Sequence, residues 1–107
     1  METTPKTRLI LNPISKIIPE DYLYDNQTVE TLTILEGFTE IGGGAFSGCT
    51  NLKRVHLPES LEIIRDNAFD DCTNLQEIII DNTEEYVKQN WNREWNICCD
   101  AKVTYLR

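Results

Sequence analysis

The chain has 107 residues, 40% hydrophobic and 26% charged, enough for one domain with a core and too apolar for a disordered polymer. Eighteen acids against ten bases leave a net charge of −8, so unaided binding to nucleic acid or to an anionic membrane is opposed by like-charge repulsion. The charge is uneven: residues 20–85 hold fifteen acids and only Lys53, Arg54 and Arg65, a local −12, while segments 1–19 and 86–107 each carry +2.

Near the start, the apolar stretch Leu9-Ile10-Leu11 is ended at once by Asn12, Pro13, Ser15 and Lys16. No signal-peptide core and no membrane-spanning length is present, so the expectation is a cytoplasmic chain, and the opening Met1 is what a complete reading frame would show. Further along, Ala45-Phe46-Ser47-Gly48-Cys49-Thr50-Asn51-Leu52 returns as Ala68-Phe69-Asp70-Asp71-Cys72-Thr73-Asn74-Leu75, 23 residues later. A fixed period of this size marks a stacked solenoid. The same offset aligns Val29, Leu52 and Leu75; Leu9, Leu32, Val55 and Ile78; Leu11, Ile34, Leu57 and Ile80; and Ile18, Ile41, Ile64 and Val87.

The alternation in Leu52-x-x-Val55-x-Leu57 and Leu75-x-x-Ile78-x-Ile80 predicts a strand with one buried face. The period places strands near 8–12, 31–35, 54–58 and 77–81 and, after a small insertion, 102–106, stacked in parallel. Pro58 closes one strand, and Gly37, Gly42, Gly43, Gly44 and Gly48 punctuate the returns. Residues 84–97 lack Gly and Pro and put Val87, Trp91 and Trp95 at i, i+4 and i+8, with acids in the first turn. They predict an amphipathic helix whose tryptophans cover the C-terminal end of the core.

Residues 41–80 resemble the BspA-type leucine-rich repeat: Ile41 to Leu52, then Val55-His56-Leu57-Pro58-Glu59-Ser60-Leu61, Ile64, and Ala68 to Leu75. Outside this stretch the pattern degenerates, with Tyr22-Leu23 for Ala-Phe and Asn26 for Cys in the first unit, and Trp91, Asn92 and Trp95 in the last. The resemblance implies a curved solenoid used for protein recognition, commonly in secreted surface proteins. The fold expected is an α/β solenoid, a short leucine-rich-repeat stack of about four units. It has one parallel sheet of about five short strands and a C-terminal capping helix. It forms a single domain, with 1–28 as N-terminal cap and degenerate repeat, 29–83 as regular repeats, and 84–107 as capping helix and final strand.

Candidate chemistry is sparse. Cys49 and Cys72 share a column on rungs about 5 Å apart, near enough for a disulfide or a shared metal, but small apolar thiols in a core column are the better account. Cys98-Cys99 lacks ligand spacing, so no metal and no cofactor is assigned. His56, the only histidine, faces outward in a column with Ile10, Thr33, Ile79 and Lys102, next to Arg8, Thr31, Arg54, Glu77 and Asp100, with no nucleophile to activate. Gly42-Gly43-Gly44 lacks the Lys-Ser/Thr of a phosphate loop. The chain reads as a non-enzyme.

Two surfaces remain. Glu36, Glu59, Glu62, Asp66, Asp70, Asp71, Glu84 and Glu85 form an acidic edge of turns and returns, joined by Glu20, Asp21 and Asp25. Carboxylates on rungs about 5 Å apart approach the axial phosphate repeat of a nucleic-acid strand, about 3.4 Å. The first expectation is therefore a monomeric intracellular inhibitor of anti-CRISPR or anti-restriction type that occupies a basic nucleic-acid-binding surface of a protein, touching neither nucleic acid nor membrane itself. The alternative is a generic interaction or adhesion module that uses the sheet face, at Ile10, Arg54, His56, Glu77 and Ile79.

Overall fold

The computed structural model describes residues 8–11, 16–93, 95 and 101–107, except for the side chains of Arg8 and Leu9. Four-residue strands β1 (Arg8–Leu11), β3 (Thr31–Ile34), β5 (Arg54–Leu57), β7 (Glu77–Ile80) and β8 (Lys102–Tyr105) alternate with two-residue strands β2 (Ile17–Ile18), β4 (Glu40–Ile41) and β6 (Ile63–Ile64). One helix, α1 (Glu84–Asn90), lies between β7 and β8. The long strands form a five-stranded parallel sheet in the order β1-β3-β5-β7-β8, and the short ones a second sheet, β2-β4-β6. The first three rungs of this β-solenoid therefore carry one long and one short strand each, and α1 follows the long strand of the fourth.

The alternation of the long strands has its expected consequence. Leu32, Ile34, Val55, Leu57, Ile78 and Ile80 are buried, while Arg54 and His56 point to solvent. Phe46 and Phe69 stack in the core with centroids 5.5 Å apart and rings 14° from parallel. Cys49 and Cys72 are free, buried thiols. Each Sγ donates to a carbonyl of the preceding rung, Cys49 to Leu23 at 3.3 Å and Cys72 to Phe46 at 3.2 Å. Burial pushes the Cys49 pKa up from 9.0 to about 11. Cys98 and Cys99 lie outside the described residues.

The second sheet was not expected; the column Ile18, Ile41, Ile64 forms its buried half. The capping helix is also shorter than the expected 84–97. Thr83 caps its start by accepting from the Tyr86 amide at 3.0 Å, and Trp91 closes it in extended conformation at φ −89°, ψ 155°. Trp91 and Trp95 are nevertheless buried, at 4% and 6% exposure, and Trp95 meets Phe69 edge-on at 6.3 Å. They pack, as the periodicity implied, but only Val87 of the three sits within the helix.

The last strand is displaced in register. Glu77 pairs with Lys102 and Ile79 with Thr104, an offset of 25. Thr104, not Lys102, thus continues the column Ile10, Thr33, His56, Ile79, and Lys102 falls in line with Thr31, Arg54 and Glu77.

Candidate functional site

The return loops are shaped by backbone chirality before charge. Asp21, Gly44 and Asn67, one rung apart in sequence, all have positive φ (57°, 67° and 59°), as do Asp25, Gly48 and Asp71 (60°, 78° and 59°). Left-handed backbone is open mainly to Gly, Asn and Asp, so three of the return acids, Asp21, Asp25 and Asp71, stand where the turn itself demands such a residue. The loops are tied across rungs by amides donating forward, Leu23 to Ala45, Asp25 to Ser47, Phe46 to Ala68 and Gly48 to Asp70, at 2.7–2.9 Å. Asn51 and Asn74 side chains add bonds back to the carbonyls of Gln27 and Thr50.

On this scaffold the acids separate into two groups. The Glu36 carboxylate accepts from the amides of Glu59 and Ser60 at 2.8 and 3.0 Å, fixing the turn after β5. Glu59 pairs with Arg107 at 2.9 Å, and Glu84 with Lys88 at 3.1 Å. Glu62 and Glu85 are exposed and make no ion pair among the described residues.

Asp66, Asp70 and Asp71 instead join Glu20 and Asp21 around a shallow trough of about 350 Å³. Its floor is the middle rung, where Gly43 stands between Glu20 and Asp66, Gly44 between Asp21 and Asn67, and Ser47 between Tyr24 and Asp70. The flanking carboxylates lean over that floor. A Cβ on Gly44 would lie 2.6 Å from Asp21 Oδ1, and one on Gly43 would lie 3.3 Å from Asp66 Oδ1. Rungs one and three are separated by two strand spacings, about 10 Å, so the trough is a slot walled by carboxylates. None of its five acids forms an ion pair among the described residues. Glu20 and Asp21 are site residues that ranking single acids overlooks; the columns 20/43/66 and 21/44/67 contain the signal.

The sheet face is a different surface. Ile10, Thr33, Arg54, His56 and Ile79 border a groove of about 320 Å³, with Ile10 49% exposed. Its Arg54 lies 3.7 Å from Glu77 on the next strand, so the two charges largely answer each other. His56 has Arg54 and Ile79 as neighbours, and among the described residues no carboxylate is hydrogen-bonded to it. Among the described residues no group of three or more His, Cys, Asp or Glu side chains is placed to hold a metal ion, and no helix is long and apolar enough to cross a membrane.

The family described as BspA type Leucine rich repeat region matches residues 16–97 in six copies. No curated protein and no solved structure matches the chain.

Proposed function

As the chain belongs to the BspA-type leucine-rich repeat family, whose stacked rungs serve protein recognition, we propose that it is a non-enzymatic protein-binding module whose acidic return face docks a basic partner. The observation that carries this reading is the glycine-floored trough, walled by Glu20, Asp21, Asp66, Asp70 and Asp71, which no cation among the described residues pairs with. A lysine or arginine side chain of the partner lies in the slot, where several carboxylates reach it at once and opposite potentials steer the encounter. The narrowest form of the reading makes that partner surface a nucleic-acid-binding cleft and the chain a monomeric intracellular inhibitor of anti-CRISPR or anti-restriction type.

The sheet face supports a second reading, an interaction or adhesion module, through the groove beside the exposed Ile10. An arginine-rich peptide titrated against variants separates the two. Asp66→Asn with Asp70→Asn removes wall charge without touching a left-handed position, and should abolish binding that already weakens steeply with salt. Arg54→Ala with His56→Ala should leave that binding unchanged. Salt-insensitive binding, or loss only in the sheet variant, transfers the function to the sheet.

A further inference from the structure

The C-terminal end holds a second cavity, of opposite character. Trp91 is buried, and among the described residues its indole Nε1 is a buried donor with no hydrogen-bond partner. Such groups are rare in folded proteins and mark a missing water, ligand or role. Trp91 lines a cavity of about 230 Å³ between α1, the turn after it and β8, walled on its apolar side by Val87 and Trp95 and bordered by Lys88, Arg93 and Tyr105. Among the described residues no acid lines this cavity. Lys88 is held by Glu84 at 3.1 Å, whereas Arg93 is exposed and makes no ion pair among the described residues. Sites for free drug-sized ligands enclose about 300–1,000 Å³, so this one takes something the size of a side chain or a small aromatic acid.

We propose that this cavity binds a carboxylate. The anion accepts one hydrogen bond from Trp91 Nε1–H and one from the Arg93 guanidinium, while the carbon body behind it rests on Val87 and Trp95. The donor requires an acceptor, the cation unpaired among the described residues requires an anion, and no described acid stands in the wall to repel it. The site is independent of the acidic face, so either stands if the other fails.

The chain has two tryptophans and therefore two indole N–H signals in a nitrogen-15 correlation spectrum. Trp91→Phe assigns the relevant one. Sodium benzoate and N-acetyl-glutamate amide are the carboxylate probes, with benzamide and sodium chloride as controls. The Trp91 signal should move downfield and saturate with a carboxylate, and stay in place with both controls. Arg93→Gln alters only an exposed side chain and should weaken the response at least about tenfold, as loss of a charged hydrogen bond does. Tighter binding of the glutamate derivative makes the occupant a partner's acidic side chain; tighter binding of benzoate makes it a free aromatic acid. An indole signal shifted upfield over the Trp95 ring and indifferent to every acid overturns the proposal. So does an equal response to benzamide, or an unchanged affinity in Arg93→Gln.

Discussion

The interior rungs and the terminal rung solve opposite problems. Interior rungs, built on β3–β4 and β5–β6, have a neighbour on each side, so every column must be met twice and the sequence repeats every 23 residues. The terminal rung, built on β7 and α1, is met by β5–β6 on one side and on the other by β8, with no described return loop stacked beyond it. There α1 replaces the short strand, the Asn92 amide reaches back to the Ile64 carbonyl at 3.0 Å, and the offset to β8 grows to 25. The Phe46–Phe69 stack is finished by Trp95, which meets Phe69 edge-on and packs in turn against Trp91 at 5.2 Å. Periodicity is thus a property of having two neighbours, and a cap is recognised by where it stops.

The largest test of this contrast strikes the residue shared by both regions. Phe69 is fully buried between the Phe46 face and the Trp95 edge, so Phe69→Ala should lower stability by about 3–5 kcal/mol in denaturant titration, enough to threaten a domain of this size. A loss no larger than that of a surface change would show that body and cap are not one cooperative unit.

Next in size are the left-handed columns. Gly48→Ala presses a Cβ against Asp25 Oδ1 at φ +78°, and should cost about 1–3 kcal/mol. Gly48→Asn should cost less backbone strain, since Asp71 holds the same conformation one rung on. At Asp71, with no described return loop stacked beyond it, Asp71→Gly should be close to neutral. Equal penalties at positions 48 and 71 would break the distinction between interior and outer rungs.

Smaller again is the effect of alkali on the buried thiol. Burial holds Cys49 neutral, with its pKa at about 11 against 9.0 for a free thiol, so the folded state retains a proton that the unfolded chain loses. That contribution is complete below about pH 9 and disappears as the pH climbs through about 11, and the denaturation midpoint should fall across that window. Cys49→Ala should flatten the fall, and thiol reagents at neutral pH should reach Cys49 and Cys72 only on unfolding.

The long strands were legible because Leu32, Val55 and Ile78 repeat in both period and polarity, and four residues suffice to show alternation. The second sheet was not, since two-residue strands such as Ile17–Ile18 are too short to alternate. The helix end was hidden because Trp91 and Trp95 keep helical spacing while the chain leaves the helix, their burial being set by Phe69 rather than by helix period. For the candidate site, the acids themselves were legible as return-loop residues. Their arrangement was not, because the trough depends on Gly43 lying between Glu20 and Asp66 and on Gly44 lying beside Asp21, and a glycine read alone signals only a turn. The columns of Asp21 and Asp25 with their partners show that part of the acidity serves the backbone.

The smallest effect concerns Arg107, which joins the two regions from outside. Its guanidinium bonds Asp81 at 3.0 Å, just after β7, and Glu59 at 2.9 Å, on the turn after β5, so it spans the last interior rung and the terminal one. Both acids hold it protonated, yet Arg107 and Glu59 are exposed, Asp81 is only half-buried, and solvent screens the pairs. Arg107→Gln should therefore shift the unfolding midpoint slightly at low salt and not at all at high salt. It also releases Glu59, raising the negative potential of the turn edge without altering the trough. If the acidic return face is the docking surface, arginine-peptide affinity should hardly change, because the trough acids have no part in the Arg107 contacts. If affinity instead rises clearly at low salt, the turn edge at Glu59 belongs to the surface, and the basic partner covers the solenoid more widely than the glycine-floored slot.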